Sequence, residues 1–123
     1  MDSKIVSLGQ LALTMSNVQR ALEFYRDILG LKFLFSPAEN LAFLQSGEAR
    51  IMLTTSQGAG EPGKNSIPYF NVSNIVEFYD SVLTKGAIAE REPQIAAQMS
   101  DHELWIGFIK DPEGNLVGLM EEK

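Results

Sequence analysis

Residues 16–35 read SNVQRALEFYRDILGLKFLF, and this stretch decides the fold. Val18, Ala21, Leu22, Tyr25, Ile28 and Leu29 recur at the spacing of a helix with one apolar face. Ser16 stands three residues before Gln19, the arrangement of a capping box, and predicts the helix start. Gly30 follows the last apolar position, where a left-handed residue commonly ends a helix. The chain then enters a short apolar and aromatic run over 31–35, which predicts a strand. Upstream, residues 4–15 are rich in apolar and β-favouring positions and predict another strand. Downstream, Ser36-Pro37 and Glu39-Asn40 mark a break, and 41–45 with 49–54 predict a hairpin around Ser46-Gly47-Glu48. The order is strand, helix and three strands.

The remainder of the chain repeats this plan. Residues 67–72 predict a strand, and Asn74, three residues before Glu77, marks a second helix start. Ile75, Phe78, Tyr79, Val82 and Leu83 form the second apolar stripe, and Gly86 closes it. Residues 103–110 and 115–120 predict a final hairpin. Between them Asp111-Pro112-Glu113-Gly114 has the residues of a type I turn, with Asp first, Pro second and Gly fourth. Laid on itself, the chain places Ser16-Asn17-Val18 on Ser73-Asn74-Ile75 and Gln10 on Ile67. Beyond the longer segment 92–102, Ile51-Met52-Leu53 falls on Val117-Gly118-Leu119. The expected organisation is one domain over 1–123 with internal repeats 4–55 and 66–122, since a unit that cannot bury its sheet face alone gains by pairing with a copy. Residues 56–65 (SQGAGEPGKN) read as the linker, and 93–101 (PQIAAQMSD) as a long connection that rims a site.

Composition narrows the function. Of 123 residues, 45% are apolar and 21% charged, as in an ordinary globular protein. No apolar run approaches the roughly 20 residues of a bilayer span, and MDSKIVSLGQ lacks a signal peptide's long apolar stretch. There is no cysteine for a disulfide, a thiolate ligand or a thiol nucleophile. The net charge is −6, with no basic patch for nucleic acid. The expectation is a cytoplasmic protein with no nucleic-acid or membrane partner, whose acidity serves solubility, the alternative reading being weak attraction of a cationic ligand.

Two motifs carry a resemblance. Ala21-Leu22-Glu23-Phe24-Tyr25-Arg26-Asp27-Ile28-Leu29-Gly30-Leu31 resembles the helix exit of the vicinal oxygen chelate superfamily, and Phe108-Ile109-Lys110-Asp111-Pro112-Glu113-Gly114-Asn115 resembles its turn. That superfamily comprises glyoxalase I, extradiol dioxygenases, methylmalonyl-CoA epimerase and the bleomycin-resistance proteins. The resemblance covers essentially the whole chain. It implies an α+β fold in which paired βαβββ modules form a curved mixed sheet around a cup. It also implies a homodimer, in keeping with the need to cover sheet edges and faces. Enzymes of the family hold a divalent metal in the cup through His, Gln or Glu on the first and last strand of each module, and the metal serves as a Lewis acid. By the repeat, those positions here are Gln10, Met52, Ile67 and Gly118. Only Gln10 offers a suitable oxygen; Met52 offers a soft thioether, and Ile67 and Gly118 offer nothing. Hence no metal ligand, catalytic residue or cofactor is assigned.

A cup with apolar and aromatic walls remains. Its expected ligand-binding residues are Gln10, Phe33, Phe43, Met52, Tyr69, His102 and Trp105, with Ala12, Thr14, Phe35 and Met120 as same-face neighbours. Gln10 is the polar handle, Met52 fills the place of a metal ligand, and Tyr69 and Trp105 are suited to stack on a flat molecule. His102 is the sole histidine. Asp101 and Glu103 flank it, and residues adjacent on a strand face opposite sides. Gly58-Ala59-Gly60 lacks the Lys-Ser/Thr pair of a phosphate loop. The expected function is metal-independent binding of an aromatic or cationic small molecule, resembling the drug-sequestering bleomycin-resistance proteins. The alternative is a divalent-metal-dependent lyase, epimerase or dioxygenase of the same superfamily, using Gln10 with His102 and Glu103.

Overall fold

The computed structural model describes residues 3–56, 58 and 60–123. Strand β1 is Gln10–Thr14, helix α1 is Val18–Leu22, and a π-helical stretch Glu23–Ile28 continues it. Strands β2 (Lys32–Ala38), β3 (Leu41–Ser46) and β4 (Ala49–Thr54) complete the first module. The second runs β5 (Tyr69–Asn71), α2 (Ile75–Thr84), β6 (Ile88–Gln98), β7 (Glu103–Lys110) and β8 (Leu116–Glu122). Each module is a four-stranded mixed sheet, ordered β1-β4-β3-β2 and β5-β8-β7-β6, with β1 parallel to β4, β5 parallel to β8 and the other pairs antiparallel. The duplicated α+β plan read from the sequence is present in order.

Three local expectations are corrected. The strand expected over 4–15 begins only at Gln10, because β1 pairs with β4 alone and β4 starts at Ala49, one residue before Gln10's partner Arg50. Residues 93–98 are not a connection but the second half of β6, where Gln94, Ile95 and Ala97 pair with Ile106, Trp105 and Leu104. Pro93 falls in a register shift between Arg91 and Gln94 on this edge strand, and a sheet tolerates proline at edges and at bulges. The capping box at Ser16 is replaced by an Asn17 cap, whose side chain accepts from the Arg20 amide at 3.0 Å.

The Ser16 donors turn instead to the other module. Glu113, in the turn before β8, accepts from the Ser16 amide (2.6 Å), the Ser16 hydroxyl (2.8 Å) and the Asn17 amide (2.8 Å). The second helix is served from within its own module. Asn74 takes a left-handed conformation (φ 52°) and makes no side-chain cap, and Glu121 on β8 accepts from the Asn74 and Ile75 amides. Asn65 of the linker accepts from the Thr14 amide and donates to the Thr14 carbonyl and the Asn115 side chain. Beneath these bonds, Leu13, Leu44 and Leu53 of the first sheet and Ile109, Val117 and Leu119 of the second join one buried core with both helices.

Candidate functional site

Strand register sorts each sheet into a helix-covered face and an open one. In the first sheet Leu13, Ala42, Leu44, Ile51 and Leu53 are buried beneath the helix, so Gln10, Ala12, Phe43, Arg50 and Met52 lie on the open side. In the second, Ile109, Val117 and Leu119 are buried, which places Tyr69, Ile106, Phe108, Gly118 and Met120 on the open side.

The first open face is built around Arg50. Its Nε donates to Gln10 Oε1 at 2.8 Å, and its guanidinium carbon lies 5.2 Å from the centre of the Phe43 ring. The Gln10 amide nitrogen reaches back to the Met52 sulfur at 3.7 Å. Phe43 stacks on Phe35 with ring centres 4.8 Å apart and planes 28° from parallel, and Phe35 remains 48% exposed. Three of the expected residues, Gln10, Phe43 and Met52, are therefore in one cluster.

The second open face carries Tyr69. Its ring lies over Gly118, so close that a Cβ at position 118 would stand 2.6 Å from Tyr69 Cδ2. Tyr69 meets Phe108 edge to face at 5.7 Å, and the Arg91 guanidinium covers the Phe108 ring at 5.1 Å. His102 lies at the entrance to β7, where Nδ1 is 2.7 Å from Asp101 Oδ1 and Nε2 is 3.9 Å from Glu122. Asp101 reaches it because the pair precedes the strand, so the alternation of faces does not separate them.

Two expected residues stand on the helix side instead. Phe33 pairs with the buried Leu44 and lies under the Arg26 guanidinium at 5.8 Å. Trp105 pairs with Glu121; its indole N–H donates to Glu103 at 3.0 Å, and the Lys123 ammonium lies 4.4 Å above the ring. The site cations Arg50 and Arg91 were not among the expected residues. The signal for Arg50 was its place two residues from Met52, and hence on the same face.

The residues at the family's metal positions do not fit a divalent ion. The Gln10 oxygen is already bonded to a guanidinium, a fixed positive charge at the place where the cation would sit. Met52 supplies only sulfur, Ile67 supplies nothing, and Gly118 both lacks a donor and lies under the Tyr69 ring. Among the described residues no group of three or more His, Cys, Asp or Glu side chains could hold a metal ion.

A cleft of about 280 Å³ lies between the modules, lined by Leu29, Leu31, Phe70, Phe78 and Leu119 among others. It falls just short of the roughly 300–1,000 Å³ of drug-sized sites, and none of the seven expected residues lines it. Among the described residues no helix is long and apolar enough to cross a membrane.

Comparison with known proteins bears on the same chain. The model of the Glyoxalase/Bleomycin resistance protein/Dioxygenase superfamily matches residues 7–119. A lactoylglutathione lyase of Escherichia coli O157:H7 is 30% identical over 125 aligned residues, spanning 90% of this chain and 89% of that protein. An uncharacterized protein of Bacillus subtilis (strain 168), YraH, is 26% identical over 91% of this chain and 95% of its own length. A solved member of the same superfamily from Sphaerobacter thermophilus DSM 20745 shares the fold, with a TM-score of 0.75 at 22% identity and coverage of 96% and 98%.

Proposed function

This chain belongs to the glyoxalase/bleomycin resistance protein/dioxygenase superfamily, and from that footing we propose that it is a metal-independent small-molecule-binding protein. The observation that carries this reading is the Arg50–Gln10 bond. The one oxygen donor at the family's metal positions, Gln10, is held by a cation, and around it lie the aromatic and thioether surfaces of Phe35, Phe43 and Met52. Such a face binds a flat molecule by stacking and polarity and needs no Lewis acid. Sequestration of a drug-like compound, as by the bleomycin-resistance proteins, is the corresponding physiological role. We place the site in a homodimer, since Tyr69 on the second open face is 46% exposed in the single chain and a second copy would cover it.

A second reading is favoured by the lactoylglutathione lyase relative: a metal-dependent lyase whose donors differ from the family's. Melting temperatures separate the two. The protein is melted with chelator, then with Mn, Co, Ni and Zn salts, then with naphthalene derivatives. A ligand at 100 times its dissociation constant stabilises by about 2.7 kcal/mol, which moves the midpoint by several degrees. A saturable shift with an aromatic compound and none with any metal is expected. A saturable shift with one metal reverses the assignment.

A further inference from the structure

We infer that the ligand of the first open face is a planar aromatic carboxylate, its anionic end docked on Arg50 and its ring lying against Phe35 and Phe43. This rests on the reading of that face as a small-molecule site and adds the charge and shape of what it takes. Chain charge alone argues for the opposite sign, since the net charge is −6. The distribution of the arginines overrides it. Arg20 and Arg26 have carboxylate partners, Glu113 at 3.7 Å and Asp27 at 2.8 Å. Arg50 and Arg91 have none within 4 Å among the described residues, and these two lie on the open faces, each over a phenylalanine ring.

The two phenylalanines occupy equivalent places. Phe43 pairs with Met52 and Phe108 with Gly118, and Met52 corresponds to Gly118 in the repeat. Each module thus presents a guanidinium on an aromatic platform, in a chain with ample acid to neutralise both. Arg50 is also held in place. Gln10 takes the Nε edge and Phe43 supports the plane, and the terminal Nη pair has no partner among the described residues. That end of a guanidinium matches the two oxygens of a carboxylate in parallel bonds. Holding the side chain before the ligand arrives reduces the ordering cost of binding. Beside it, Phe35 of the nearly parallel Phe35–Phe43 pair is 48% exposed, an apolar surface against which a flat ring can lie.

The test uses three probes of one shape, 2-naphthoate, 2-naphthamide and 2-naphthylmethylammonium, titrated calorimetrically into wild type, Arg50→Met and Arg50→Lys. Wild type is expected to bind naphthoate about tenfold more tightly than the amide, and the ammonium most weakly. Arg50→Met should abolish the preference, so that naphthoate and the amide bind that variant equally, while Arg50→Lys, which keeps the charge without the fork, should retain part of it. Equal binding of naphthoate and amide by wild type overturns the inference and leaves small-molecule binding at this face intact. A preference that persists in Arg50→Met overturns it as well. If none of the three probes binds wild type, the inference falls, and the metal series then decides whether the parent reading falls with it.

Discussion

The Tyr25 hydroxyl donates a 2.9 Å hydrogen bond to Asp111 across the junction of the two modules, and both side chains are fully buried. The same carboxylate accepts from the Asn115 side chain at 2.8 Å and from the Glu113 and Asn115 amides at 2.9 Å each. Burial, reinforced by the neighbouring Asp111, pushes the Tyr25 phenol well above its ordinary pKa. Tyr25→Phe removes one of four bonds to a buried acceptor and should cost about 1–3 kcal/mol. Urea denaturation measures the loss, and naphthoate affinity should be unchanged because the pair lies on the helix side. A loss below about 0.5 kcal/mol would mean that the hydroxyl contributes little to the junction.

Glu113 gives the fold an acid limit. Burial disfavours its charge, since the side chain is 3% exposed, but the Ser16 and Asn17 amides, the Ser16 hydroxyl and Arg20 outweigh burial and hold its pKa below the usual value. In the unfolded chain a glutamate titrates near 4.3, so the contribution is complete above about that pH and is lost as pH falls through the lower folded value. Glu113→Gln should cost about 1–2 kcal/mol at neutral pH. It should also flatten the decline in stability on acidification. Glu121 is shifted downward too, chiefly by the Ile75 amide, so some acid sensitivity should remain in the variant. Denaturant midpoints across this pH range check both statements.

Gly118 is required by its neighbour. A methyl group there would stand 2.6 Å from Tyr69 Cδ2 and 2.9 Å from two further ring atoms. Gly118→Ala must lift the ring and disturb its contact with Phe108, at a cost of about 1–3 kcal/mol. The cost should largely vanish in a Tyr69→Ala background, and a double-mutant cycle would record that coupling. Additive effects would show that the backbone, rather than the ring, resists the substitution.

The proposed dimer predicts a concentration-dependent mass in sedimentation, rising toward twice the 13.6 kDa of the chain. Replacing exposed Tyr69 with Glu should shift the balance toward the single chain at every concentration, and the single chain itself should melt somewhat lower because the ring's contact with Phe108 is lost. A monomer at every concentration would remove the second copy from the proposal.

The order of elements was legible in the sequence because apolar spacing and glycine placement agree in both modules. The faces were legible only where one side of a strand is apolar and the other mixed, as with Gln10 and Met52. Phe33 and Phe35 are two residues apart and should share a face, but a register shift between them sends Phe33 to the helix side. In β7 both faces are apolar, Trp105 and Ile109 on one and Ile106 and Phe108 on the other, so alternation could not say which met the core. Pro93 and the run of small and polar residues after it concealed half of β6. The π-helical stretch left no pattern distinct from an ordinary helix, and its Leu29 amide bonds to the Phe24 carbonyl five residues back.

The crossing of Glu113 to the first helix has a consequence in time. Ser16 and Asn17 leave the ribosome early, but the carboxylate that receives their amides, and the buried partner of Tyr25, are made nearly a hundred residues later. At roughly 5–20 residues per second the first module waits several seconds without them. The second module carries its own helix partner in Glu121, so the amides that open its helix find their acceptor within the later-born half, whereas those of the first helix wait for it.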